Sequence, residues 1–173
     1  MSKTYIPRDT YWKKIAPFVG KDIIKVIVGQ RRVGKSYFLF QIMDEIKKKN
    51  KSAKIIYINK ESEEFSEIKT GKDLLVYIEK NRDRREKLSI FIDEIQEIEG
   101  FERTLRHLSS KGGYDIYCTG SNAHMLSSEI ATSLSGRYLE ITMHSLSFPE
   151  FLIFHQLKSS EDALFTYIRY GGL

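Results

Sequence analysis

Apolar residues in this chain gather into short continuous runs separated by stretches of helical period. The runs Ile23–Val28, Lys54–Asn59, Leu88–Asp93, Tyr114–Thr119 and Tyr138–Met143 are rich in Ile, Tyr or Phe and mostly do not alternate with polar residues. Strands that are apolar at consecutive positions predict a sheet covered on both faces. Between the runs, Leu39, Ile42, Met43 and Ile46 fall at i, i+3, i+4 and i+7, and Ile98, Phe101, Leu105 and Leu108 repeat near helical period. Strand and helix therefore alternate, which predicts an α/β fold, a three-layer sandwich around a mostly parallel five-stranded sheet. Gly112-Gly113 after Lys111 reads as a helix stop. Ser147-Phe148-Pro149-Glu150 reads as a helix start, with a serine cap and a proline in the first turn.

The length of 173 residues, 41% hydrophobic and 29% charged, suits one domain over 1–173. No repeat, low-complexity tract or long linker interrupts it. The single Cys118 sits in an apolar run, so it reads as a buried thiol in a protein of the reducing cytosol. The four histidines are scattered without metal-site spacing, and no structural zinc is expected. The amino terminus lacks the apolar core of a signal peptide, and charge breaks every hydrophobic run short of a bilayer span. A soluble, cytoplasmic protein with no membrane partner is expected.

One run changes the picture. Ile23–Val28 leads directly into Gly29-Gln30-Arg31-Arg32-Val33-Gly34-Lys35-Ser36, which fits G-x-x-x-x-G-K-[ST]. A strand that breaks into a glycine-rich turn and then a helix points successive backbone N–H groups at one place, and that concavity holds phosphate oxygens. Residues Gly29, Gln30, Arg31, Arg32, Val33, Gly34, Lys35, Ser36 and Tyr37 are the predicted nucleotide-binding set. Lys35 is expected on the β and γ phosphates and Ser36 on Mg²⁺. Arg31 and Arg32 read equally well as phosphate contacts or as solvated charges.

Charge is unevenly spread. Residues 1–54 carry 14 Lys and Arg against 4 Asp and Glu, and 55–173 carry 14 against 19, so the net +5 is +10 followed by −5. The positive stretch contains the glycine-rich loop. Lys47-Lys48-Lys49 with Lys51 reads first as a solvated helix end favoured by the dipole, with a nucleic-acid contact as the alternative.

A second run, Leu88-Ser89-Ile90-Phe91-Ile92-Asp93-Glu94, ends in two carboxylates. Open α/β sheets bind ligands at strand carboxyl ends, so Asp93 is expected beside the loop, holding Mg²⁺ through water, and Glu94 orienting an attacking water. A third run ends in Thr119-Gly120-Ser121-Asn122, of which Thr119, Ser121 or Asn122 can reach the γ-phosphate or that water. An ordinary turn with an Asn cap is the plainer alternative. Arg137 is a candidate for the arginine that stabilises phosphoryl charge, within the chain or on a neighbouring subunit, and equally a surface arginine at a strand start. Ile6-Pro7-Arg8, ahead of the first strand, is a candidate to border the adenine.

Taken in order, GQRRVGKS, LSIFIDEIQ, YCTGSN, SLSGRYLEI and LSFPEFL resemble AAA-type P-loop ATPases of the bacterial and archaeal AAA-domain group. The resemblance spans nearly the whole chain. It implies a five-stranded parallel sheet of the additional-strand, catalytic-glutamate type, in which the Asp93 strand sits between the loop strand and its neighbours. It also implies Glu94 as catalytic glutamate, a sensor at Ser121 or Asn122 and a finger at Arg137. Members of the group continue past the Gly-Gly motif into a helical or winged-helix region, so the resemblance places such a region after residue 173, and with it a DNA or protein partner. The expected ligands are ATP, ADP and Mg²⁺, and an oligomer is compatible. The leading expectation is Mg²⁺-dependent ATP hydrolysis coupled to movement of an attached or partner module. A non-hydrolysing nucleotide switch is the alternative, and a P-loop kinase ranks below both.

Overall fold

The computed structural model describes residues 5–82, 87–121, 134 and 136–172. The apolar runs become β1 (Ile24–Val28), β2 (Lys54–Asn59), β3 (Leu88–Asp93), β4 (Tyr114–Gly120) and β5 (Tyr138–Thr142), each within one residue of its expected bounds. They form one sheet in the order β2-β3-β4-β1-β5, and every neighbouring pair is parallel. β1, β3 and β4 are buried at every position, whereas β2 and β5, at the sheet edges, are partly exposed. The fold is therefore α/β with a parallel sheet, as the continuous runs require.

Successive strand residues face opposite sides, so the sheet divides two cores. One holds Val26, Ile58, Ile90, Ile92 and Ile116 against helices α3 (Gly71–Lys80) and α4 (Phe101–Lys111). The other holds Ile27, Phe91, Tyr117 and Ile141 against α1 (Asp9–Ile15) and α2 (Lys35–Lys49). In the second core the Phe91 and Tyr117 rings stack at 4.5 Å. Cys118 is fully buried, and burial pushes its thiol up to about 12, which leaves it inert.

Of the expected stripe along α2, Leu39, Ile42 and Ile46 are buried and Met43 is half-buried. The second stripe is corrected at its start: Ile98 belongs to the turn after residues 95–97, and α4 begins only at Phe101. Gly100 in the left-handed region, φ 67°, breaks the period between them. α3 is an addition to the expected helices, and its Leu74, Leu75 and Ile78 pack on the first core at helical spacing. Its start is set by a capping box in which Thr70 and Asp73 satisfy each other's backbone N–H groups. Gly71 has to lack a side chain, since a Cβ there would meet Thr104 Oγ1 at 2.5 Å and the Gly100 carbonyl at 2.7 Å.

After β5, α5 (Phe148–His155) starts at the expected Ser147 cap with Pro149 in its first turn, Glu150 accepts the Ser147 N–H at 2.8 Å, and α6 (Glu161–Tyr170) packs back on it through Phe148, Phe151 and Tyr167. This pair exposes Phe154, Phe165, Ile168 and Tyr170.

Parallel strands give the sheet two unlike ends. The glycine-rich loop lies at the carboxyl end. Lys47, Lys48, Lys49, Lys51 and Lys54, much of the positive amino-terminal third, lie at the opposite end, where α2 stops and β2 starts. Also there is a buried ion pair between Lys25 of β1 and Asp115 of β4. Asp115 accepts further bonds from the Gly20 N–H and the Tyr117 hydroxyl, both at 2.9 Å, and Lys25 also donates to the Lys21 carbonyl at 2.8 Å. Burial lowers the Lys25 pKa, with Asp115 opposing. Removing one charge leaves the other desolvated and unpaired. Asp115→Ala is thus expected to cost about 3–5 kcal/mol in urea unfolding, and the pairwise neutral Lys25→Met, Asp115→Asn variant to recover most of it.

Candidate nucleotide-binding site

The loop after β1 closes against the continuation of β5. A Cβ on Gly29 would lie 2.4 Å from the Met143 carbonyl oxygen, while the Met143 N–H donates to the Val28 carbonyl at 2.7 Å. Arg32 and Gly34 take left-handed conformations, φ 69° and 94°, and turn the chain into α2. That brings the free N–H groups and the positive dipole end of a fifteen-residue helix to this spot. Within the loop Gly29, Val33 and Lys35 are buried, Gly34 and Ser36 half-buried, and Gln30, Arg31, Arg32 and Tyr37 exposed. A cleft of about 370 Å³ is lined by Arg31, Arg32, Gly34, Lys35, Ser36 and Tyr37 together with Glu61.

Lys35, 4% exposed, folds over its own loop. Its ammonium donates to the Gly29 and Gln30 carbonyls at 3.1 and 3.0 Å and to Ser121 Oγ at 3.4 Å, and lies 3.6 Å from Glu94 Oε1. Ammonium and carboxylate thus meet from opposite sides of β4.

That geometry corrects one expectation about the sheet. β4 lies between β1 and β3, so the strand carrying Asp93 does not adjoin the loop strand. The contact passes through the polar end of β4 instead. Thr119 Oγ1 donates to Asp93 Oδ1 and accepts the Glu94 N–H at 3.0 Å. The other oxygen of Asp93 accepts from the Tyr57 hydroxyl of β2 at 3.0 Å. Asp93 is 2% exposed and anchored on both sides. Burial first, then the charge of Asp93, raises the Tyr57 pKa, so the phenol remains a donor at neutral pH.

Glu94 adopts φ 57° and ψ 56°, a left-handed conformation that costs a residue with a Cβ about 1–2 kcal/mol. The twist sends its carboxylate toward Ser121. The Ser121 hydroxyl lies 2.7 and 2.6 Å from the two oxygens, the Ser121 N–H donates at 3.2 Å, and Gln96 Nε2 donates at 2.5 Å. Burial pushes the Glu94 pKa up, but the Ser121 and Gln96 donors and the Lys35 charge outweigh it, and the net shift is downward.

The structure therefore brings together Gly29 to Tyr37, Asp93, Glu94 and Ser121. Among the three polar residues after the fourth run, Thr119 serves the carboxylates and Ser121 faces Glu94 and Lys35; Asn122 lies outside the described residues. Arg137 is not brought in. Its carbonyl accepts the Ile24 N–H at 3.1 Å, at the start of β5, so the length of β1, about 16 Å at strand rise, separates it from its own loop. The within-chain finger role is thereby corrected.

Tyr57, Gln96 and Glu61 were missed from sequence. Tyr57 lies inside a run read as plain strand, and Gln96 follows the two carboxylates in LSIFIDEIQ. Arg8, 4% exposed, proves to be a junction. Its guanidinium donates to the Val33 carbonyl of the loop at 3.0 Å, to the His144 carbonyl at 2.8 Å and to Glu150 of α5 at 3.0 Å, and its N–H donates to Gln41 of α2 at 2.8 Å. Beside it, Ile6, Val33, Gly34, Tyr37, Leu146 and Phe154 line a mostly apolar cavity of about 270 Å³.

Ser121→Ala removes the hydroxyl that both Glu94 oxygens accept from, so the Glu94 pKa is expected to rise toward the ordinary carboxylate value in an NMR titration. A depressed folded-state pKa contributes stability that is present above the unfolded value and lost as pH falls through the folded one. The acid-unfolding midpoint of Ser121→Ala should accordingly move to higher pH, and an unchanged midpoint and pKa would remove Ser121 from this role.

The model of the AAA domain family matches residues 21–152. An uncharacterized protein of Haemophilus influenzae is 42% identical over 178 residues, covering 99% of this chain and 44% of that protein. The chain thus spans less than half the length of this relative. Among solved structures, PCH-2 of C. elegans is similar with a TM-score of 0.62 at 12% identity, covering 94% of this chain and 47% of that one. The replication initiator DnaA, bound to AMPPCP and single-stranded DNA, matches with a TM-score of 0.61 at 16% identity, covering 97% and 59%. At such identity the structures show a shared fold, while the family match and the bacterial relative show descent: this chain belongs to the AAA domain family of P-loop ATPase domains.

Proposed function

We propose that this chain binds Mg·ATP on the Gly29–Tyr37 loop and hydrolyses it, coupling loss of the γ-phosphate to movement of an attached or partner module. The observation that carries this reading is the meeting of Lys35, Glu94 and Ser121 beside the buried Asp93, at the carboxyl end of a parallel sheet. The N–H groups at the start of α2 receive phosphate oxygens, and Lys35 exchanges its two carbonyl partners for them. Ser36 and Asp93 are the residues to hold Mg²⁺. Each oxygen of Asp93 accepts one bond from the protein and keeps a lone pair, which fits a carboxylate that holds a hydrated cation. When bound, Mg²⁺ supplies positive charge for the β and γ oxygens. Glu94, ionised well into the acid range, accepts a proton from water once its present donors part from it.

The coupling has a physical route. Arg8 bonds at once to the loop and to Glu150, so a shift of Val33 is felt at the start of α5. The exposed apolar side chains of α5 and α6 then offer the surface against which a module moves. That module, or a DNA or protein partner, belongs to the remainder of a protein as long as the bacterial relative. One observation favours the non-hydrolysing switch: the Glu94 carboxylate is gripped by Ser121, Gln96 and Lys35, and a carboxylate that stays gripped activates no water.

Two substitutions separate the readings. Lys35→Ala is expected to abolish thermal stabilisation by Mg·ATP. Glu94→Gln should keep that stabilisation and lose about 100-fold or more in phosphate release, the usual worth of a general base. Equal release by Glu94→Gln and the parent would take Glu94 out of the mechanism, and absence of release by both would leave the switch.

A further inference from the structure

Every strand of the sheet is introduced by a cation at its amino-terminal end. Lys21 precedes β1, Lys54 opens β2, Lys87 precedes β3, Lys111 precedes β4 and Arg137 precedes β5, and all five are exposed. Helices that connect parallel strands run back against them, so α2 and α3 finish at the same end and add Lys47 to Lys49 and Lys80. Lys49 and Lys87 line a single depression of about 350 Å³ together with Gly20, Asn50 and Asp115, which places helix ends and strand starts on one surface.

Among the described residues, four acids at this end are engaged. Asp22 pairs with Lys87, Glu45 with Lys48, Glu79 with Lys111, and Asp115 with the buried Lys25. Among the described residues Lys21, Lys51, Lys54, Lys80 and Arg137 form no ion pair. Helix dipoles account for the lysines at the ends of α2, α3 and α4. They do not account for Lys21, Lys54 or Arg137, which gain nothing from a dipole and repel their neighbours. Charges from sequence positions as far apart as 21 and 137 reach this surface only through the topology, so the excess of the amino-terminal third describes it incompletely.

We propose that this end of the sheet binds the phosphodiester backbone of a nucleic acid without reading its sequence. Five strands at about 4.8 Å spacing set the cations across about 19 Å, and duplex DNA offers one negative charge per about 1.7 Å of axis to meet them. Four of the five strand-start cations are lysines, point charges that suit phosphate, and among the described residues no fully exposed aromatic ring lies here for bases to stack on, Trp12 beside Lys49 being half-buried. An anionic membrane surface also attracts lysines, but amphipathic membrane binding buries apolar side chains in the interface. Among the described residues the exposed large apolar side chains lie at the start of α2 (Tyr37), on α3 (Val76) and in residues 153–170, none at this end. The surface is separated from the glycine-rich loop by the length of the strands, so nucleotide and nucleic acid occupy the protein together. The inference stands independently of hydrolysis.

Fluorescence anisotropy of a labelled duplex of about 20 base pairs, and of a single strand of the same length, tests it with the full chain between about 50 and 200 mM salt. The expected result is a Kd of about 1–100 μM that weakens steeply with salt, is insensitive to base sequence, and is unaffected by saturating Mg·ADP. The triple variant Lys21→Gln, Lys51→Gln, Lys54→Gln should weaken binding about tenfold or more and reduce the slope of log K against log salt by about 2–3. The paired control Arg103→Gln, Arg106→Gln, on the exposed side of α4, should bind within about twofold of the parent. Acetylation mapped by mass spectrometry on the parent protein, with and without duplex, should show Lys21, Lys51 and Lys54 protected, which keeps the test valid should the triple variant melt early. No binding at the lowest salt, parent-like binding by the triple variant, competition by Mg·ADP, or binding to phosphatidylserine vesicles but not to either oligonucleotide would each overturn the proposal.

Discussion

The constraint on which this structure depends is that all five strands run the same way. A parallel strand cannot return through a hairpin, so each connection must cross the sheet, and helices cover both faces. Burial on both faces demands the continuous apolar runs. It also drives polar residues to the strand ends, because nothing else in β1, β3 or β4 meets solvent. Chemistry is thereby concentrated at two ends and excluded from the middle. At one end converge the glycine-rich loop, two carboxylates and a serine; at the other, a buried ion pair beneath a surface of lysines.

The two ends handle buried charge differently. Lys25 and Asp115 are matched one to one and their remaining hydrogen-bond capacity is met by backbone and Tyr117, so that pair is fixed. Around Lys35 the matching is looser: its nearest carboxylate oxygen is 3.6 Å away and its other partners are carbonyls of a glycine-rich turn. Carbonyl partners are readily exchanged for stronger, charged acceptors, since bonds between ionised groups are roughly twice as strong as neutral ones. A tightly satisfied end holds the sheet together, and a loosely satisfied one can respond to a ligand.

Most of the scaffold was legible in the sequence because burial on both faces writes itself as uninterrupted Ile, Phe and Tyr. The five runs became five strands, and the glycine pattern became a turn with left-handed Arg32 and Gly34. Strand order was not legible, and it decided two outcomes. The resemblance set the Asp93 strand beside the loop strand, whereas β4 intervenes and Thr119 and Ser121 make the connection. It also left Arg137 free to reach the phosphates, whereas the order and direction of β5 put it at the far end. Tyr57 shows the same limit at finer scale. Its side chain is chosen by a partner thirty-six positions away, and no local pattern in Lys54–Asn59 records that. α3 lies outside the expected helices although Leu74, Leu75 and Ile78 sit on the core at helical spacing, and Gly71 and the capping box fix where it starts.

The left-handed conformation of Glu94 ties these threads together. A residue with a Cβ holds such a conformation only where its surroundings outweigh the cost. Here the Thr119 hydroxyl receives the Glu94 N–H while donating to Asp93, so a single side chain of β4 fixes the direction of one carboxylate and the backbone of the next. Straightening Glu94 would break the bond from its N–H to Thr119 and pull its carboxylate away from Ser121 and Gln96. The strain at Glu94 is thus sustained by the neighbouring strand, which lies beside β3 because the chain inserts β4 between β3 and β1. The same parallel topology that buries the core therefore sets the angle at which the two carboxylates face the loop.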